Sequence, residues 1–433
     1  MPAKPDATAE EGGDHPLLTA EDLSVLPGLR RRALARIGTR PERSGEAVRA
    51  ASLTLAAGEA LALVGEPGSG NLVLARALVG RRRAAGGTVR HRGSDLAALT
   101  GRRRRPLRRA LQTLSLGPEP SLDPAQTVRA AVGGPLSEHR TAPDEEHDDA
   151  RTALALERAG LPADCLDRPL SDLSEQDRRR AELARAIVVE PELLVVEEQP
   201  GPHAAGARDE VLARLRGLRE STGLACVLVT GDLAGAGRSC DTVAVMHLGR
   251  VVEYGPAERV CAEPLHPCTR ALLAGGGDGP PRPTAAAPDR GEPAPGCAFR
   301  PRCPAPLGHC GWEPRDLAAL LQRRRAQLDP ARRRAERALI AGADAVGPPG
   351  AGRLVLTPGR RSSAEELLAH LRGLREEDSA ADPREPLWGG VVTMSPDGDR
   401  VVVEFVEAVT PVLAPAGEPG RRVACHLAAG AAD

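Results

Sequence analysis

The chain has 433 residues, enough to bury a sizeable core and to divide into roughly two or three domains. Its 58 Lys and Arg residues balance 59 Asp and Glu residues, so overall charge gives no reason to expect a nucleic-acid or anionic-membrane partner. No signal-peptide pattern and no apolar run near ~18–20 residues is present, so we expect a soluble, cytoplasmic protein. Its nine cysteines are then expected to be thiols or metal ligands rather than disulfides.

Residues 1–16 are polar and are predicted to be a disordered tail. Further on, the apolar run Leu61–Val64 predicts a strand and Val73–Leu78 predicts a helix, with a glycine-rich turn between them. This order is the context of a phosphate-binding loop, in which backbone N–H groups and a helix N-terminus bind phosphate oxygens. The candidate nucleotide-binding positions are Gly65, Glu66, Gly68, Ser69, Gly70, Asn71 and Leu72.

Two side chains that such a loop normally supplies are missing. Asn71 stands where a lysine would reach the β- and γ-phosphates, and Leu72 stands where a hydroxyl would bind Mg²⁺. The loop therefore predicts weak nucleotide binding, and the alternative is a glycine-rich turn that binds nothing.

The middle of the chain alternates helical and strand patterns. The basic run Arg102–Arg109 is interpreted as a solvated surface, because no aromatic residues interleave it as a nucleic-acid surface would require. An acidic stretch at Asp144–Asp149 is predicted to be a linker. The apolar run Leu193–Val196 predicts a buried parallel strand that ends in Glu197 and Glu198. Together these patterns predict a mostly parallel α/β core whose ligands lie at the carboxyl ends of its strands.

The last third of the chain begins with a Gly- and Pro-rich linker at 275–295 and a cluster of cysteines. An Arg-rich helical stretch over Asp316–Ile340 and a short strand over Leu354–Leu356 follow. The capping-box pattern of Ser363 and Glu366 then opens a helix, and a Pro-Asp-Gly turn predicts a hairpin between residues 391 and 406.

Several of these segments resemble one known family when they are taken in order. They are the loop Gly65–Leu72, the segment Pro118–Pro124, the stretch Leu170–Ile187, the stretch Glu190–Glu198, Val229–Leu233, Glu263–Leu272 and the cysteine segment Gly296–Pro304. This set resembles the ATP-binding subunits of ABC transporters, in the oligopeptide/dipeptide/nickel importer branch. The resemblance implies an α/β fold: a nucleotide-binding domain with a RecA-like core, an antiparallel β portion and a helical subdomain, followed by a C-terminal extension.

The implied domains follow from the same matches. The nucleotide-binding domain is expected over 17–274, with its helical subdomain at about 127–183. The C-terminal extension is expected at 296–313 and 408–427, and the intervening residues 316–406 are interpreted as an inserted α+β segment.

Positions that the family uses for ATP hydrolysis differ in this chain. By the resemblance, Leu116 replaces the Q-loop glutamine, Glu197 the Walker B aspartate and Gly231 the H-loop histidine. The signature L-S-G-G-Q reads Leu173-Ser174-Glu175-Gln176-Asp177, which places acids where the phosphates of a partner subunit's ATP would lie. Glu198, aligned with the catalytic base, keeps its identity but is expected to be inactive without a positioned phosphate.

The resemblance implies a peptide importer subunit that forms a heterodimer with a second ABC ATPase and contacts membrane permease subunits at the inner face of the cell membrane. The alternative is a non-catalytic scaffold or regulator that no longer serves transport. ATP with Mg²⁺ is the expected cofactor, weakly bound or lost, and nucleic acid is not an expected partner.

Four cysteines are candidate metal ligands: Cys297, Cys303, Cys310 and Cys425. Their spacing does not match a zinc ribbon, whereas three local cysteines and one remote cysteine are found in iron–sulfur ligation. The family resemblance also implies a 4Fe–4S cluster, and zinc or free thiols are the alternatives.

Overall fold

The structure is a computed structural model that describes residues 16–26, 47–117, 122–139, 145–198, 204–275, 295–346, 352–381 and 386–429. Residues 1–15, most of the linker predicted at 275–295 and residues 118–121 lie outside these ranges. The described residues up to Glu263 form one compact unit, and those from Pro264 onward form a second.

Two sheets form the first unit. Its strands are β1 (Leu18–Val25), β2 (Val48–Leu55), β3 (Ala60–Val64), β4 (Gly86–His91), β5 (Ser94–Asp95), β6 (Leu111–Leu116), β7 (Leu193–Glu198), β8 (Ala225–Thr230), β9 (Thr242–His247) and β10 (Arg250–Pro256). Within this unit the central sheet has the order β10-β9-β3-β8-β7-β6, in which β9 to β6 are parallel and β10 pairs antiparallel with β9. An antiparallel sheet has the order β2-β1-β4-β5.

Strands β3 and β8 show the burial that is typical of a parallel sheet. Every residue of β3 and of β8 is buried, as expected for continuous apolar runs that helices cover on both faces. The register aligns Val64 with Thr230, so the glycine-rich turn after β3 and the loop after β8 leave the sheet at the same edge. The residues predicted to bind a ligand therefore share the carboxyl edge of the sheet.

Helices cover this sheet and form a helical subdomain beside it. They are α1 (Asn71–Leu78), α2 (Arg104–Ala110), α3 (Val128–His139), α4 (Glu145–Ala159), α5 (Glu175–Ile187), α6 (Ala204–Thr222), α7 (Leu233–Ser239) and α8 (Ala257–Ala262). Apolar side chains of α3, α4 and α5 share one core with β6 and β7. The linker predicted at Asp144–Asp149 is wrong, because α4 already begins at Glu145.

The second unit is built around an antiparallel sheet. Its helices are α9 (Pro267–Gly275), α10 (Pro314–Gln327), α11 (Pro330–Leu339), α12 (Ala364–Ala381), α13 (Pro386–Gly389) and α14 (His426–Ala429). Its strands are β11 (Ile340–Val346), β12 (Arg353–Pro358), β13 (Val391–Asp397), β14 (Arg400–Phe405), β15 (Ala414–Pro415) and β16 (Arg422–Val423). The sheet order is β11-β12-β14-β13, and β15 pairs with β16.

Helices α10, α12 and α13 bury leucines and Trp388 against this sheet, in a core separate from that of the first unit. The single helical stretch predicted over Asp316–Ile340 is wrong in two respects. The chain breaks it at Leu328, where Asp329 caps a new helix by accepting hydrogen bonds from the N–H groups of Ala331 and Arg332. Ile340 already belongs to a strand, β11, that the sequence pattern does not predict.

The hairpin prediction is confirmed by β13 and β14, and the capping box is confirmed by two hydrogen bonds. Ser363 N–H donates to the Glu366 carboxylate at 3.0 Å, and Glu366 N–H donates to Ser363 Oγ at 3.1 Å. Within the described ranges, no helix is both long enough and apolar enough to cross a membrane.

Candidate functional site

The glycine-rich loop joins β3 to α1 with tight local packing. Gly70 has φ +97°, and a Cβ there would lie 2.3 Å from the Ala47 carbonyl oxygen, so only glycine fits. A Cβ on Gly65 would lie 2.4 Å from Ser69 Oγ. Gly65 N–H donates to the Thr230 carbonyl, and Ser69 N–H donates to the Glu66 carbonyl. Close packing therefore fixes the backbone of this turn, which the sequence predicts to be a phosphate-binding loop.

Asn71 turns back toward the ends of two strands. Its Nδ2 lies 3.4 Å from the carbonyl oxygens of Leu63 and Thr230, and its Oδ1 accepts from Leu72 N–H at 2.8 Å. An amide carries no charge with which to bind phosphate, and Oδ1 occupies an N–H group at the start of the helix. The Asn71 side chain is thus hydrogen-bonded within the chain.

Glu197, at the end of β7, forms an ion pair that sequence reasoning missed. Its carboxylate accepts from Arg76 of α1 in a fork, at 2.9 Å from Nε to Oε1 and 2.6 Å from Nη2 to Oε2. Glu197 is only 6% exposed, so the buried carboxylate has its counter-charge within the protein. The bond to Glu197 raises the pKa of Arg76. Glu198 follows at the same strand end and is half-buried.

The signature-like segment is also occupied by internal bonds. Ser174 caps α5: its Oγ accepts from Asp177 N–H at 3.1 Å and donates to the Asp177 carboxylate at 2.8 Å. Glu175 pairs with Arg179 at 3.0 Å. Acids in the first turn of α5 complement the positive end of the helix dipole. The Ser174 hydroxyl and the N-terminus of α5 are therefore engaged by the chain's own carboxylates.

Leu116 and Gly231 differ in the space around them. Leu116 is 5% exposed and packs in the apolar core with α3 to α5, so it has no polar function at the carboxyl edge. Gly231 lies after β8, and a Cβ there would come no closer than 3.8 Å to the Gly65 carbonyl oxygen. The backbone at Gly231 could therefore carry a larger side chain.

In the second unit, the four predicted ligand cysteines come together. They line one small, partly open cavity: Cys297, Cys303, Cys310 and Cys425. Residues 297–310 and Cys425 are thus close in space although more than a hundred residues separate them in sequence. Among the described residues, no group of three or more His, Cys, Asp or Glu side chains is placed to hold a metal ion.

These thiols are partly buried, and a positively charged side chain lies near them. Burial raises the pKa of Cys297 to about 11, with smaller contributions from the neighbouring cysteines, and burial also raises the pKa of Cys303 and Cys310. Cys310 Sγ lies 3.3 Å from His426 Nδ1. Arg300, which is 6% exposed and pairs with Asp316 at 3.0 Å, also lines the cavity. Four thiols beside a buried cation form a donor set that suits an anionic thiolate-ligated group.

The loop, the parallel sheet and the helical subdomain define an ATP-binding cassette. Residues 48–199 match the ABC transporter family, and residues 252–310 match the family described as oligopeptide/dipeptide transporter, C-terminal region. The chain is 33% identical over 274 residues to a probable peptide ABC transporter ATP-binding protein of Sinorhizobium fredii, covering 62% of this chain and 77% of that one.

It is also 33% identical over 284 residues to the di/tripeptide transport ATP-binding protein DppF of Pseudomonas aeruginosa, covering 64% of this chain and 88% of that one. Among solved structures, cbiO1 from Clostridium perfringens is similar with a TM-score of 0.48 and 22% identity, covering 57% of this chain and 92% of that one. The chain belongs to the family of ABC transporter ATP-binding subunits, in the branch with the oligopeptide/dipeptide transporter C-terminal region.

Proposed function

We propose that this chain is an ATP-binding-type subunit of a peptide importer whose own hydrolytic site is inactive. It forms a heterodimer with a second, competent ABC ATPase and contacts membrane permease subunits at the cytoplasmic face of the membrane. Matches to both the cassette and the C-terminal region support this function over a scaffold outside transport.

The observation that carries the proposal is that the chain's own side chains engage the groups that would bind phosphate and metal. Phosphoryl transfer depends mainly on positioning and on stabilising charge spread over the phosphate. Removing one such electrostatic donor typically costs about 10²–10³ in rate. Here the loop lysine, the hydroxyl after it, the Q-loop glutamine and the H-loop histidine are all replaced. Glu198 then has no activated phosphate on which to act as a base.

The signature segment supports the same assignment from the other side of an ABC dimer. Glu175 and Asp177 place negative charge at the N-terminus of α5, where a partner's phosphates would need positive potential. Like charges disfavour that approach by Coulomb repulsion. We therefore infer that this chain contributes to the dimer by its fold and its contacts with the permease rather than by phosphate binding.

Affinity purification of the tagged chain from native membranes tests the transporter assignment. The expected result is recovery of permease subunits together with a second ABC ATPase that carries the intact Walker lysine. Recovery of the chain alone, or only with proteins unrelated to transport, would contradict it. In a reconstituted complex whose partner subunit hydrolyses ATP, Glu198→Gln should leave the ATPase rate within about twofold of the native rate, whereas loss of a working base costs at least about a hundredfold.

For the C-terminal region we propose that the four cysteines hold a 4Fe–4S cluster. When bound, such a cluster would replace the thiol protons and fix Cys425 to the segment 297–310. Each thiolate of a four-iron cluster binds a different iron, so its ligands need not surround one ion. Iron and sulfide content and the visible absorption of anaerobically purified protein test this assignment. Stoichiometric zinc, or four thiols that titrate freely in the anaerobic protein, would contradict it.

A further inference from the structure

The carboxyl edge of the parallel sheet contains one buried carboxylate whose counter-ion is a guanidinium of the same chain. Glu197 is 6% exposed, and a buried carboxylate is unstable without a neighbouring positive charge. Arg76 provides that charge through two parallel hydrogen bonds of 2.9 and 2.6 Å. Both carboxylate oxygens are therefore used by a single, permanently charged partner.

The position of this pair matters because it lies beside the phosphate-binding loop. Arg76 lies on the helix that the loop starts, five residues after Asn71, and Glu197 lies on the strand two places from β3 in the sheet. A divalent cation at this edge would need free carboxylate oxygens as ligands. In this chain the guanidinium already occupies those oxygens.

We propose that Arg76 is the resident counter-ion of Glu197, acting in place of a divalent cation, and that removing its guanidinium opens a divalent-cation site at Glu197. This inference rests on the proposed function, in which this chain's own site is inactive and needs no metal–nucleotide complex. It also predicts that Mg²⁺ adds little to the ATP affinity of Asn71→Lys/Leu72→Ser, because the Glu197 carboxylate stays paired with Arg76.

Manganese binding to the full-length chain, without nucleotide, tests the inference. Loss of the free Mn²⁺ electron paramagnetic resonance signal counts the ions bound by the native chain and by Arg76→Met. The expected result is one additional Mn²⁺ per chain in Arg76→Met, together with a melting temperature, followed by far-ultraviolet circular dichroism, that rises by at least about 4 °C when Mn²⁺ is added. A folded Arg76→Met protein that binds no additional Mn²⁺ would overturn the inference.

The matched control is Arg179→Met, which removes a guanidinium from another Arg–Glu pair of the same unit. Its partner Glu175 is 70% exposed, so water replaces the lost contact and no additional Mn²⁺ is expected. The same gain of Mn²⁺ in both variants would also overturn the inference, because it would reflect a general increase in negative charge.

A second variant covers the case in which Arg76→Met does not fold. The double variant Arg76→Met/Glu197→Gln removes both charges, so it should fold and bind no additional Mn²⁺. A double variant that remains unfolded would show that the guanidinium is needed for reasons other than the charge of Glu197, and the inference would be wrong. Because no step uses ATP, native-chain ATP binding would refute the proposed function and leave this result intact.

Discussion

Arg324 provides a direct test of how the second unit is held together. Its guanidinium contacts Asp378 through Nη1 and Glu377 through Nη2, the latter at 2.9 Å. Asp378 also accepts from Trp388 Nε1 at 2.7 Å, and Trp388 is 2% exposed. The three side chains thus join α10, α12 and α13 around a carboxylate that is 13% exposed.

Arg324→Met is expected to lower the free energy of unfolding of this unit by about 2 kcal/mol. Leaving a buried carboxylate unpaired costs about 3–5 kcal/mol. This figure must be reduced because the Arg324 side chain is 30% exposed, which lets water reach the pair. The contact with Glu377, itself 69% exposed, adds less than about 1 kcal/mol.

Tryptophan fluorescence reports the unfolding of the second unit alone, because the two tryptophans of the chain, Trp312 and Trp388, both belong to that unit. With a urea m-value of about 2 kcal/mol/M, the midpoint should move down by about 1 M. Arg323→Met, on the exposed side of the same helix, is the matched control and should change stability by less than about 0.5 kcal/mol. Equal midpoints for the two variants would refute the reasoning.

Further outcomes are expected at other positions. Because Cys297 has its pKa raised to about 11 by burial, the folded state keeps the proton that the unfolded state loses above a pKa of about 8.5. In the cluster-free chain, the free energy of unfolding should therefore fall as the pH rises from about 8.5 to about 11. The urea midpoints at pH 7 and pH 10 should differ less in Cys297→Ser than in the native chain. Ser363→Ala removes the helix cap and should cost about 1 kcal/mol by the same fluorescence assay. The control Ser362→Ala should cost less, because its hydroxyl makes only a long hydrogen bond of 3.5 Å to the Ala338 carbonyl. Gly70→Ala forces a Cβ into the Ala47 carbonyl and should cost about 1–3 kcal/mol of stability, which lowers the melting temperature followed by circular dichroism. Gly68→Ala, with open space around the new Cβ, should cost only its backbone strain.

The sequence was sufficient to predict features whose physical cause is local. Continuous apolar runs predict the parallel strands, a glycine turn between strand and helix predicts the loop, and the pattern of Ser363 and Glu366 predicts the cap of α12. Each depends on residues that are neighbours in the chain.

Features formed by distant residues were harder to predict. The Arg76–Glu197 pair joins residues 121 positions apart, and the only local signal is the longer acid at a position where the family resemblance implies aspartate. Strand β11 was missed because its residues Ala341–Ala345 are small and mostly exposed, so they show no alternation of apolar and polar side chains. Its strand conformation comes from pairing with β12 instead.

We expect this chain not to bind ATP, because its glycine-rich loop lacks the lysine and the Mg²⁺-binding hydroxyl. Calorimetric titration of the purified native chain with Mg-ATP, alongside Asn71→Lys/Leu72→Ser, tests this expectation. The native chain should give no binding heat. The variant should bind ATP measurably, because a lysine–phosphate hydrogen bond contributes about 1.5–3 kcal/mol. Micromolar binding by the native chain would mean that other residues replace the lost lysine, and it would contradict the account.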